Sequence, residues 1–177
     1  MILIGIDGSL TATGLVAIDL TGGGERVAWS ECVRTKPDKS SRHLYQADED
    51  GERVDAIARA LLRLLEISGR APLVACEAPA GSQHALSAKA LGLVYGAVRG
   101  VLVCRGIAPI MVQAFEAKRV GGGSPQAAKA VVERAMRERF PSAFDTARSK
   151  PENEAIADAF AVACVALEHP LVRQVRS

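Results

Sequence analysis

The stretch Ile2-Leu3-Ile4-Gly5-Ile6-Asp7-Gly8-Ser9 decides the fold. A short apolar run rich in Ile reads as a buried strand, and it ends on an acid followed by a Gly-Ser turn. Residues 13–20 read as a second strand, closed by Thr21-Gly22-Gly23-Gly24, and residues 26–34 as a third. These three make an antiparallel meander. Further on, Leu73-Val74-Ala75-Cys76-Glu77 lies between Pro72 and Pro79 as a fourth strand, and Pro109-Ile110-Met111-Val112 as a fifth. Helical spacing holds over 43–67, where Val54, Ile57, Ala58, Leu61, Leu64 and Leu65 share a face. It holds again over 84–104, over 114–119 before Gly121-Gly122-Gly123, and over 152–168 before Pro170. Ser124 with Pro125 is expected to cap a helix running to about Arg139, after which 140–151 is a loop. The order β-β-β-α-β-α-β-α-α requires the last two strands to be added in parallel. The expected fold is an α/β mixed sheet, three antiparallel strands plus two parallel, flanked by helices.

The chain has 177 residues, which fits one domain over 1–177. A chain of that size buries about 70% of its unfolded surface, so no disulfide or structural metal is needed to hold the core. The formal net charge is only +2. Overall charge therefore does not identify the partner, and the distribution of the basic residues says more. Cys32, Cys76, Cys104 and Cys164 show no CxxC pair and no Cys/His cluster, which excludes a zinc site of the usual spacing. They are expected to be buried free thiols in a reducing cytosol. No basic segment precedes the first apolar run, and no uninterrupted apolar run approaches the ~20 residues of a membrane span. A cytoplasmic protein with no membrane partner is expected.

Asp7 and Glu77 each end a buried strand. A charge there is costly unless the strand end opens onto a site, and in open α/β sheets ligand sites gather at strand ends. Glu154 and Asp158 lie four apart on an otherwise apolar helix, so they share one face. If that helix crosses the strand ends, four carboxylates converge and repel one another. Hard divalent cations relieve this, which points to Mg²⁺ or Mn²⁺, and two such ions suit phosphodiester hydrolysis. The plainer alternative is that each acid is a turn or cap residue, with Glu154 favouring its own helix dipole.

In their order along the chain these residues resemble the RuvC family of Holliday-junction resolvases, which have an RNase H-like fold. The resemblance runs through Ile4-Gly5-Ile6-Asp7-Gly8-Ser9, Thr13-Gly14, Val74-Ala75-Cys76-Glu77 and Ser87-Ala88-Lys89-Ala90-Leu91-Gly92. It continues through Lys118, Gly121-Gly122-Gly123, Lys129 and Glu154-Ala155-Ile156-Ala157-Asp158-Ala159-Phe160-Ala161. It implies Asp7, Glu77, Asp158 and Glu154 as metal ligands and Lys118 and Lys129 as the family's two lysines. It further implies a homodimer that cuts symmetric strands of a four-way DNA junction. The chain departs from the bacterial pattern at Gly8, where Pro is usual. It lacks an aromatic residue in Ala78-Pro79-Ala80-Gly81, and its last two acids are four apart rather than three. A phage-encoded member fits these departures, and would work in the host cytoplasm rather than at the nucleoid.

Phosphate contacts need Lys and Arg placed along a surface. Arg34, Lys36, Lys39 and Arg42 form one candidate patch; Lys118, Arg119 and Lys129 form another, with N–H groups at the Ser124 helix start as a further phosphate holder. Solvated charge is the alternative for the first patch, and is the expectation for Arg134, Arg137 and Arg139, which sit among Glu133 and Glu138. Gly92, Gly96 and Gly100 recur every four residues in one helix, where each costs roughly 1 kcal/mol relative to Ala. Close backbone approach is the reason they invite: to a second copy across a twofold axis, or to this chain's own sheet or first helix. The reading is therefore a dimeric, metal-dependent endonuclease of branched DNA. Its rivals are an RNA-processing nuclease of the same fold, a non-catalytic junction-binding module, and an actin-like or sugar-kinase ATPase, which would need a second such domain.

Overall fold

The computed structural model describes residues 1–37, 45–69, 71–79, 81 and 84–176. Five strands form one sheet among them: β1 (Ile2–Asp7), β2 (Ala12–Asp19), β3 (Arg26–Arg34), β4 (Leu73–Glu77) and β5 (Ile110–Val112). Their spatial order is β3-β2-β1-β4-β5. β1 pairs antiparallel with β2 and β2 with β3, while β4 lies parallel to β1 and β5 parallel to β4. This is the mixed sheet expected from the sequence. The β2–β3 turn is fastened at the end of the sheet remote from Asp7. There Asp19 accepts from the Thr21 N–H at 2.8 Å and from the Arg26 guanidinium at 2.6 Å.

Side chains alternate across a strand, so β1 feeds two cores. Ile4 and Ile6 face α1 (Gln46–Ile67) and α2 (Ala85–Cys104), packing with Leu15, Leu61, Leu64, Val94, Val98 and Leu102. Leu3, Gly5 and Asp7 face the other side. That side holds α3 (Ala114–Gly122), α4 (Lys129–Arg139) and, against the sheet itself, α5 (Lys150–Leu167), with α6 (Pro170–Arg176) following. Phe160 of α5 is fully buried and stacks on Phe140 at 4.5 Å between ring centres.

α5 sits unusually close to the sheet. A Cβ on Gly14 would collide with the Ala155 carbonyl oxygen, and one on Gly5 with that of Ala159. The helix answers with small residues, Ala155, Ala159 and Ala163, on the contacting face. Its start is fixed by a reciprocal cap in which the Ser149 N–H donates to Glu152 at 2.8 Å. Arg34 donates to the Ser149 hydroxyl at 3.1 Å, and Arg148 to the Ser30 carbonyl at 3.0 Å, tying this cap to β3.

Several expectations need correction. Ser124 does not start a helix: its hydroxyl accepts from the Gln126 N–H at 3.2 Å in a local turn, and α4 begins only at Lys129. The helix-start phosphate site at Ser124 therefore does not exist. α3 runs on through Gly121 and Gly122, and a further helix, α6, begins at Pro170, because proline suits a first helical turn. Cys104 is exposed and Cys32 only part-buried, so two of the four thiols are not core residues. α2 is long and apolar enough on average to cross a membrane, although Lys89 and Arg99 interrupt its apolar run as the sequence showed. It nonetheless packs Val94, Val98 and Leu102 on the sheet.

Candidate active site

β1 and β4 run side by side in register, Ile6 beside Cys76, so Asp7 and Glu77 follow at adjacent strand ends. Both fall on the α5 face by alternation. The turn after Asp7 is held by buried Thr13, whose hydroxyl donates to the Ser9 carbonyl at 2.6 Å. The Asp7 and Glu77 carboxyl groups lie close enough for each to act directly on the ionisation of the other. Asp158 reaches the same place from α5, because Gly5 and Gly14 let that helix lie against the two strands. A cavity of about 290 Å³ is lined by Asp7, Glu77, Asp158, Lys118 and Lys129, with Gly8, Ser9 and Leu91 at its edge.

Electrostatics follow from crowding. Burial, then the negative charges of Glu77 and Asp158, push the Asp7 carboxyl well above the usual range. Burial also raises Glu77, against the hydrogen bond from Asp7, which favours its ionised form. Burial raises Asp158, against the opposing pull of Lys129. Lys129 donates to Asp158 at 3.2 Å; its own burial works against its charge, but Asp158, Asp7 and Glu154 outweigh that and hold its pKa up. Lys129 arrives there because α3 and α4 pack closely through a turn of small residues. A Cβ on Gly121 would stand 2.8 Å from Val132.

The sequence-derived residues divide clearly. Asp7, Glu77, Asp158, Lys118 and Lys129 meet. Glu154, one turn before Asp158, lies outside the cavity wall and pairs with Lys150 at 3.8 Å. Arg119 lines a different cavity with Glu116 and Met111, away from Lys118. Arg34 serves the α5 cap, Lys36 is exposed, and Lys39 and Arg42 lie outside the described residues. Gly92, Gly96 and Gly100 face outward, with nothing within 4 Å of a Cβ on any of them. This chain's own sheet is thus not what they approach. Sequence reading did not find the closeness role of Gly5 and Gly14; glycine inside two strand patterns was the available signal.

Among the described residues no three His, Cys, Asp or Glu side chains form a ready-made metal cage. The donor chemistry nevertheless fits a hard divalent cation. Three carboxylates share one cavity and burial destabilises each as an anion there despite the two lysines, an excess of oxygen donors that a hard divalent cation would relieve.

Fold and site together place the chain in the RNase H-like class, an α/β sheet with carboxylates at the ends of its central strands and on the last long helix. No family model matches the chain, and no curated protein matches it by sequence. Solved structures do. The Thermus thermophilus RuvC in complex with a Holliday junction substrate has 26% identity and a TM-score of 0.71, over 93% of this chain and 92% of that one. The Thermus thermophilus RuvC structure gives 25% and 0.68 over the same shares. The fowlpox virus Holliday junction resolvase shares the fold at 17% identity and a TM-score of 0.56, over 95% and 98%. The RuvC resemblance read from the sequence is borne out by these structures.

Proposed function

We propose that this chain is a structure-selective endodeoxyribonuclease that resolves four-way DNA junctions. The observation that carries the reading is the convergence of Asp7, Glu77 and Asp158 with Lys118 and Lys129 in one cavity, on a fold shared with RuvC. Asp7, Glu77 and Asp158 would hold Mg²⁺ or Mn²⁺, two ions per site, with Glu154 joining on release from Lys150. Bound there, the ions would supply Lewis-acid activation of water and of the leaving oxygen. The chain's own groups do the rest. The carboxylates orient the attacking side, the half-closed cavity limits bulk water, and exposed Lys118 meets the phosphate. Lys129, which lines the same cavity beside Asp158, would add a second positive charge where negative charge grows in the transition state.

The active form would be a twofold dimer through α2. Its outward glycines leave room for a second helix backbone, and Leu93 and Val103 are exposed beside them. Equilibrium sedimentation checks this: a monomer at micromolar concentration would remove it. We place the protein in the cytoplasm, with the DNA it cuts. The decisive experiment is cleavage of a synthetic four-way junction with Mg²⁺, Mn²⁺ or EDTA, beside duplex DNA and structured RNA. Cutting of the junction alone, dependent on the cation and lost in Asp7→Asn, is expected. Preference for structured RNA would move the chain to RNA processing; binding without cutting would make it a junction-binding module.

A further inference from the structure

A second cavity, of about 200 Å³, opens behind the carboxylates on the α2 side of the strand ends. It shares Asp7, Gly8, Glu77 and Leu91 with the carboxylate cavity, so the two meet across the Asp7-Gly8 ridge. Its other walls are apolar: Ile6, Pro79, Val94 and Val98, with half-buried Tyr95 among them. The Tyr95 hydroxyl makes no hydrogen bond among the described residues. Gly8 keeps the ridge low, since a Cβ there would press on Val94 at 3.1 Å. Nothing in the proposed hydrolysis uses this space.

We infer that this cavity is a subsite for one nucleobase of the strand being cut, with Tyr95 as its specificity-determining contact. The inference rests on the nuclease reading above and deepens it. The two cavities differ in polarity as the two halves of a nucleotide do. Lys118 and Lys129 stand only in the carboxylate cavity, where an anionic phosphate is held. Among the described residues the second cavity offers no cation, and the carboxylates at its mouth repel phosphate. It accepts instead a flat, uncharged ring with a hydrogen-bonding edge: apolar side chains for the faces, the Tyr95 hydroxyl for the edge. A strand whose phosphate lies at the lysines can turn its adjoining base over Gly8 into that space. The base must leave its stack to do so, which costs least where pairing is interrupted, as at a branch point. Tyr95 thereby couples branch recognition to the position of the cut.

The test uses full-length protein and four-way junctions carrying 2-aminopurine at successive positions around the cleavage point, first without divalent cation. One position is expected to change fluorescence on binding, and Tyr95→Leu to lose that change. With Mg²⁺, Tyr95→Leu is expected to cut about tenfold less at the preferred position and to spread its cuts. Tyr95→Phe should keep the rate and lose base preference. A complementary arm leaves the protein untouched: an abasic site at the responsive position should lower wild-type cutting there by about tenfold. Unchanged fluorescence and cut positions in Tyr95→Leu, or undiminished cutting at the abasic site, would overturn the subsite while leaving the nuclease reading intact. Failure of the wild-type protein to cut any junction would remove both.

Discussion

The two faces of the sheet are closed by different means. Toward α1 and α2, Ile4, Ile6 and Leu15 meet Ile57, Leu61 and Val98, and ordinary side-chain packing sets the spacing. Toward α5 the sheet meets the helix backbone itself: Gly5 and Gly14 leave room for the carbonyls of Ala159 and Ala155. Side-chain packing tolerates adjustment, because rotamers can shift; backbone against backbone cannot. The carboxylates lie on the inflexible side. Glycine means opposite things on the two sides as well, obligatory close approach at Gly5 and Gly14 and an open outer surface at Gly92, Gly96 and Gly100.

The sharpest way to break this comparison is a pair of substitutions on one strand. Asp7→Asn should cost junction cleavage more than the roughly 100- to 1,000-fold that loss of one transition-state donor costs, with the fold preserved. Ile4→Val, on the other face, should cost about 0.5–1.5 kcal/mol of stability and leave the rate alone. Equal losses of activity would erase the division. Next in size is Gly14→Ala. It should destabilise by at least about 1–3 kcal/mol and, by moving α5 and Asp158, slow cleavage by about 100-fold. Urea denaturation with single-turnover kinetics reads both.

The matching change on the open side, Gly96→Ala, should raise helix stability by up to about 1 kcal/mol and weaken self-association, as followed by urea midpoints at two protein concentrations. Destabilisation independent of concentration would mean the stripe is covered within the chain. The smallest effect concerns pH. Without cations, Asp7, Glu77 and Asp158 have raised pKa values, so the folded protein keeps protons that the unfolded chain releases. The resulting penalty is absent below the ordinary carboxylate range and grows as pH rises through and above it. Asp7→Asn should therefore melt higher than wild type at neutral pH, by about 2–4 °C per kcal/mol relieved, with no gap in acid. Asp50 runs the other way. Lys89 at 2.7 Å holds its carboxyl down, so its stabilisation is present above that range and fades as pH falls.

The strands were legible because short apolar runs ended at Asp7 and Glu77 in an order that only a mixed sheet satisfies. The meeting of Asp7, Glu77 and Asp158 was legible too, because acids stand out in apolar segments. Ser124 misled because a Ser-Pro pair signals a helix start or a turn with the same residues, and here the Gln126 N–H settles the hydroxyl in a turn. Pro170 misled in the opposite sense, since proline after a helix can also open the next. Glu154 shares a helix face with Asp158 and its charge reaches Lys129, while its carboxylate pairs with Lys150, a distinction that periodicity alone does not give. The outward direction of the α2 glycines was beyond pattern reading, because only the position of the sheet decides which side of an apolar helix is covered.

The β2–β3 turn has a practical use. Asp19, Thr21 and Arg26 lock it among themselves, so the strands it joins do not depend on what its glycines carry. A Cβ at Gly22, Gly23 or Gly24 would meet nothing within 4 Å, and the turn lies at the end of the sheet opposite the carboxylates. A fluorophore or affinity tag grafted there would report on the protein from the end of the sheet remote from its carboxylates.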